Sequence, residues 1–289
     1  MILFIAKIEN LAGQILTLTQ NESNYQVVDI QGLNPPNAQI NLSSIAGLDG
    51  AKFNSSKIDT RNIVITIKLN GDVESNRQAL YRFFPTKQWC KFYYQNSNRN
   101  VFIEGYVEAN ECDFFSDSER MQISIICPRP YFKDVEEIVD DISNIVARFT
   151  FPFSIEYDDP IPFSEYSLST TALIYNASEA ETGTEININV VTPFNKISIR
   201  NTLTGDWLTL ENSFLANDKI IINTNKGEKS ITLIRNGVSS NLMGSLVLGS
   251  TFFQLASGDN MFGYIVDDDL VYNDYATVKF IFHNKYGGV

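Results

Sequence analysis

Residues 121–134, Met-Gln-Ile-Ser-Ile-Ile-Cys-Pro-Arg-Pro-Tyr-Phe-Lys-Asp, constrain the fold more than any other stretch. Met121, Ile123, Ile125 and Cys127 alternate with Gln122, Ser124 and Ile126, the period of a strand with one apolar face. Pro128 and Pro130 end it. Proline brings no N–H to a ladder, and Arg129 is held extended by the proline after it. A strand that finishes in Pro-Arg-Pro closes a β-domain, so a second domain begins beyond it. The expected division is residues 1–134 and residues 135–289, with 135–165 linker-like.

Charge supports that division. Residues 1–134 hold 13 Lys+Arg against 14 Asp+Glu, and residues 135–289 hold 9 against 20, so the net −12 sits almost wholly in the second half. Neither half offers a basic groove for nucleic acid. No run of about eighteen apolar residues suggests a membrane span. Met1–Ala6 is apolar but has no basic residue before it and meets Lys7 at once, so it reads as a first strand rather than a leader. Cys90, Cys112 and Cys127 are an odd set at wide spacing beside one histidine, His283. That pattern fits neither a zinc site nor a disulfide framework, and the thiols are expected to pack as small apolar groups in a reducing cytoplasm.

The first half reads as a β-sandwich or split-barrel-like domain with one helix. Strands are expected at 1–6, 14–19, 25–30 and from Ile40, with Asn34-Pro35-Pro36-Asn37 a loop and Gly47-Leu48-Asp49-Gly50 a turn. Arg61 opens the cleanest strand, with Ile63, Ile65, Ile67 and Leu69 on one face, and is itself expected as a strand-edge charge. After Gly71 the period changes. Val73, Ala79, Leu80, Phe83 and Phe84 fit a helix over 72–84, capped by Asp72 or Ser75 and ended by Pro85, with Arg77 and Arg82 outward. Leu80, Phe83 and Phe84 are its expected buried residues. A hairpin over 89–107 and the stretch Phe114-Phe115 complete the domain before Met121.

In the second half, apolar positions 138, 142, 145 and 146 suit a helix, and an extended linker fits nearly as well. Phe149–Ile161 reads as a segment laid over a surface. From Thr171 a sandwich pattern appears, with strands at 171–176, 185–191, 195–201, 207–210, 219–223, 230–235 and 277–283 separated by turns such as Thr204-Gly205-Asp206 and Asn236-Gly237.

No chemistry-bearing motif survives scrutiny. Gly227-Glu228-Lys229-Ser230 lacks the preceding glycine of a phosphate loop and reads as a turn. Asp267-Asp268-Asp269 and Asp158-Asp159 lack the spacing of a calcium loop. His283 has no serine or cysteine motif to serve, and 34 acids always yield pairs without revealing a glycosidase geometry. The chain is expected not to be an enzyme, with no cofactor and no metal. Trp207, with Tyr166, Tyr264, Tyr272 and Tyr275, offers aromatic faces for a sugar ring or for a core; Trp207 is the one candidate saccharide contact.

Gly47-Leu48-Asp49-Gly50, Arg61 leading Ile63–Leu69, Gly71-Asp72 with a helix ending at Phe84-Pro85, Val101–Val107, Met121–Cys127 and Pro130-Tyr131-Phe132 resemble, in that order, the distal tail protein family of long-tailed bacteriophages. Ile197–Gly205, Asp218–Gly227, Phe252–Asn260 and Tyr286–Val289 continue the likeness through the second half. The resemblance implies a hexameric ring at the tail tip, joining the tail tube to the tip or receptor-binding proteins. It also implies a galectin-like or carbohydrate-module-like sandwich outside the ring, synthesis in the host bacterial cytoplasm, and cell-surface saccharide as the alternative partner.

Overall fold

The computed structural model describes residues 4–19, 24–47, 49–113, 119–142, 145–146, 165–166, 171–267 and 275–289. The protein is mainly β, as the sequence pattern requires, and it forms two compact units: residues 1–135 with 285–289, and residues 136–284. The first unit contains β1 (Ile5–Asn10), β2 (Ile15–Leu18), β3 (Tyr25–Gln31), β4 (Ala38–Ser44), β5 (Ala51–Ile58), β6 (Arg61–Leu69), α1 (Val73–Phe83), β7 (Trp89–Gln95), β8 (Asn100–Cys112), β9 (Arg120–Cys127) and β10 (Phe132–Asp134). The main sheet runs β2-β1-β7-β8-β9-β6-β3. A parallel bridge from Thr19 to Gln26 brings β2 to β3, so the two ends of the sheet meet and a split barrel results. The barrel core is set by register: Ile63, Ile65 and Ile67 on β6 stand opposite Ile125, Ile123 and Met121 on β9, all fully buried. Each such isoleucine contributes about 1.5–3 kcal/mol by leaving water.

The helix forms where the period changed. Asp72 accepts a hydrogen bond from the Ser75 amide at 3.2 Å, satisfying one of the free N–H groups of the first turn. Asn110 Nδ2 reaches the Leu80 and Phe84 carbonyls at the other end. Leu80 and Phe84 are buried, whereas Phe83 is only half-buried, so the expected trio is reduced to two. Arg77 is not outward: its side chain is mostly covered, paired with Glu74 and lying over the Tyr81 ring.

The second unit is a two-sheet sandwich. Its first strands are β11 (Ile138–Asp141), β12 (Ile145–Val146), β13 (Glu165–Tyr166), β14 (Thr171–Asn176), β15 (Glu185–Val190) and β16 (Phe194–Asn201). After them come β17 (Trp207–Phe214), β18 (Lys219–Asn223), β19 (Ser230–Arg235), β20 (Val238–Asn241), β21 (Gly258–Val266) and β22 (Ala276–Phe282). One sheet runs β11-β22-β15-β18-β19-β20 and the other β14-β21-β16-β17. Ile186, Ile188, Ile222 and Phe280 from the first meet Ile197, Leu208, Leu210 and Phe262 from the second in one core, with Phe262 and Phe280 rings 4.8 Å apart.

Three sequence expectations change. Of the helix and the extended chain that the spacing allowed, residues 138–141 take the extended form, as a strand, because a spacing of four also keeps Ile138 and Ile142 on one face of an extended chain. Strands β5, β10, β12, β13, β20 and β21 were not anticipated. The last five residues leave the second unit: Lys285–Tyr286 pairs antiparallel with β10, with Phe132 opposite Tyr286 and Lys133 opposite Lys285. The readings of Phe114-Phe115, Phe149–Ile161 and Asp158-Asp159 lie outside the described residues.

Candidate assembly surfaces

The chain between β3 and β6 builds a surface that the barrel does not use. β3 pairs with β6 from Tyr25–Leu69 to Gln31–Val64, and β4 pairs with β5 from Ala38–Ile58 to Ser44–Ala51. These are successive stretches of one long hairpin. Its near half lies in the barrel wall, and its far half, the β4–β5 ribbon, pairs with no other strand among the described residues. At about 3.3 Å per residue the ribbon extends roughly 25 Å. Every residue of β4 and β5 is exposed.

The ribbon is amphipathic. Cross-strand partners share a face, so Ala38, Ile40 and Leu42 stand with Ile58, Ser56 and Phe53, while Gln39, Asn41 and Ser43 stand with Lys57, Ser55 and Lys52. A bulge between Asn41 and Leu42 returns Phe53 to the apolar face. Ile40 is 61% exposed, Leu42 55% and Phe53 59%.

Arg61 sits at the root of this arm. It is not a strand-edge charge: it is 3% exposed. Its Nε donates to the Pro130 carbonyl at 2.6 Å, Nη1 to the Asn34 carbonyl at 2.8 Å and also to Gly32, and Nη2 to Gly287. The guanidinium lies 4.6 Å over the Phe132 ring. Burial pushes its pKa down from the ordinary value. Five donors in a rigid fork suit a site where several carbonyls converge, which a lysine could not satisfy. Sequence patterning missed this because the carbonyls belong to segments far apart in the chain.

Cys90 and Cys127 are buried free thiols whose pKa values are pushed up to about 12 by burial, which leaves them unreactive packers. They flank Gly105, where a Cβ would come within 2.9 Å of the Cys127 sulfur.

In the second unit, Trp207 is half-buried and stands opposite Arg200. Gly249, at φ +93°, lies against the indole, where a Cβ would sit 3.3 Å from Cζ2. The outer face of that sheet also carries Leu173, Tyr175 and Met261, all exposed. Tyr264 is not on it: its ring is buried and its hydroxyl donates to the Ala276 carbonyl at 2.8 Å. Tyr275 packs half-buried against the core, and Tyr272 and the Tyr166 side chain lie outside the described residues. Gly227–Lys229 lies in the turn between β18 and β19, and Ser230 opens β19 opposite Asn223. Asp267 Oδ1 accepts the Asn195 and Lys196 amides at 2.9 and 2.7 Å, while Asp268 and Asp269 lie outside the described residues. His283 Nε2 lies 3.7 Å from Glu137. No group of His, Cys, Asp and Glu among the described residues has the placement to hold a metal ion.

Comparison with known proteins agrees with the resemblance read from the sequence. Residues 177–286 match the family model of the siphovirus-type tail component, C-terminal domain. The whole chain shares the fold of the Dit protein of phage SPP1, described as a paradigm of the hub adsorption apparatus in phages infecting Gram-positive bacteria. The TM-score is 0.67 at 13% identity, over 98% of each chain. It also resembles a chain of the phage P2 baseplate in its activated conformation with Ca, with a TM-score of 0.56 at 13% identity over 99% of each chain. No curated protein sequence matches it.

Proposed function

We infer that this chain is a distal tail, or baseplate hub, component of a long-tailed bacteriophage, and that its work is assembly rather than chemistry. Six copies close into a ring at the virion tail tip, between the tail tube and the tip or receptor-binding proteins, after synthesis in the host bacterial cytoplasm. Residues 1–134 form the ring and the sandwich stands outside it.

The observation that carries this reading is the β4–β5 arm. A two-stranded ribbon is marginal in water by itself, and its apolar face of Ile40, Leu42 and Phe53 lowers the free energy only when covered. A closed ring needs two different complementary patches on each subunit, one of which the arm supplies. Light scattering on the purified protein tests the reading. The expected mass is about six times that of one chain. Phe53→Ser, at a site where the side chain touches no core, should shift the mass toward the monomer while the melting curve holds. A wild-type protein that stays monomeric at high concentration overturns the ring.

A second reading makes the sandwich a module for cell-surface saccharide. It rests on the Trp207 ring beside the exposed Arg200, an aromatic face next to a fork of donors. A glycan array compared with Trp207→Ala separates it from the first, since ring assembly does not depend on Trp207.

A further inference from the structure

We propose that residues 285–289 form a strap that holds the root of the β4–β5 arm, with Arg61 as its buckle, so that the direction in which the arm points depends on the strap being seated. This goes beyond the ring reading, and three contacts place the strap on the root. Arg61 Nη2 donates to the Gly287 carbonyl while the same guanidinium holds Gly32 and Asn34, the residues by which β3 passes into β4. The Val289 amide donates to the Leu33 carbonyl at 3.1 Å. Gly288 lies so close to Pro35 that a Cβ would be 2.8 Å from Cδ and 3.0 Å from the backbone nitrogen.

The strap is anchored before it reaches the root. Lys285–Tyr286 pairs with β10, the Tyr286 hydroxyl donates to Asp134 at 2.9 Å, and Arg99 lies 3.8 Å over the Tyr286 ring. Arg61 also opens β6, the strand into which β5 returns. One cation therefore holds both legs of the hairpin where they leave the barrel wall, and the strap closes over the same point. Between the wall and the arm, Asn34-Pro35-Pro36 cannot form ladder hydrogen bonds through its prolines, so the hairpin's own pairing does not fix the angle there. Elements joined by such a short irregular stretch hinge unless something outside the ladder holds them. The strap supplies that hold.

Spin labels at Ser55→Cys on the arm and Lys7→Cys on the barrel, diluted with unlabelled protein, report the arm's direction as a distance distribution within one chain. Two variants unseat the strap: Gly288→Val, whose side chain collides with Pro35, and a chain lacking Gly287–Val289. The expected result is a narrow distribution in the parent protein and one about two-fold wider in both variants, as a rigid ribbon gains a hinge. An unchanged width in the shortened chain overturns the proposal, and so does a widening matched by loss of the barrel's own melting transition. Oligomer mass, read separately, keeps failure of the ring reading distinct, because the width is measurable on a monomer.

Discussion

Two buried charges mark the first and second units, and they differ in kind. Arg61 is satisfied by the backbone carbonyls of Gly32, Asn34, Pro130 and Gly287, so its role is geometric. Arg61→Lys keeps the charge and loses the fork. It should lower the first unit's stability by about 1–3 kcal/mol, the cost of leaving buried carbonyls without donors, and a melting curve equal to the parent's would show that the fork is dispensable. Asp218 is different. It is 2% exposed, takes three bonds from Arg235 at 2.6–3.2 Å, and accepts the Leu215 amide at 2.8 Å. Arg235 holds its carboxyl below the ordinary carboxylate value. A depressed folded pKa contributes stability above the unfolded value of about 3.9, and that contribution is lost as pH falls through the folded value. The stability gap between the parent and Arg235→Gln should therefore be widest near neutral pH and narrow in acid. A gap that stays constant from neutral to strongly acidic pH would mean that the pair acts through shape alone.

At the scale of elements, α1 is defined by its cap and by two side chains. Phe84 is buried under the helix end and Phe83 packs only half-covered against it, the two rings 4.8 Å apart. Phe84→Ala should cost about 3–5 kcal/mol, within the range for a fully buried phenylalanine, and Phe83→Ala clearly less; equal losses by chemical denaturation would place both rings in the core. The strands that were legible in the sequence were those with one wet and one dry face, such as β6, β9, β18 and β19, because alternation survives when the register is regular. β5 was illegible for a physical reason. Its bulge puts Phe53 and Ile58, five positions apart, on one face, which no period of two can reveal. Arg61 was visible as a residue and invisible as a site, since its partners come from residues 32–34, 130 and 287. Trp207 was visible as an aromatic, but its partial cover by Gly249 needed the fold.

At the scale of the whole molecule, the return of residues 285–289 redraws the charge split. The first unit now holds 14 Lys+Arg against 14 Asp+Glu, net zero, and the second holds 8 against 20, net −12. Six second units carry −72, and bringing them near one another is resisted by repulsion that salt screens over about 8 Å at physiological ionic strength. Six neutral first units meet no such resistance. A chain cut near Lys133 would keep the neutral unit but lose the strap, leaving Arg61 short of its Gly287 acceptor. The informative molecule is one in which residues 1–135 are joined to 285–289 by a short turn. Lys133 stands opposite Lys285 on paired strands, so a connection of about four residues closes a hairpin there without strain. This chain should fold, and it should assemble with a midpoint that barely changes with salt. The full protein's assembly should tighten as salt is added, because added ions relieve only the outer repulsion. Residues 136–284 alone should stay monomeric. If the joined chain were monomeric at concentrations where the full protein forms rings, the second unit would be supplying the lateral contact, and the arm would need another partner.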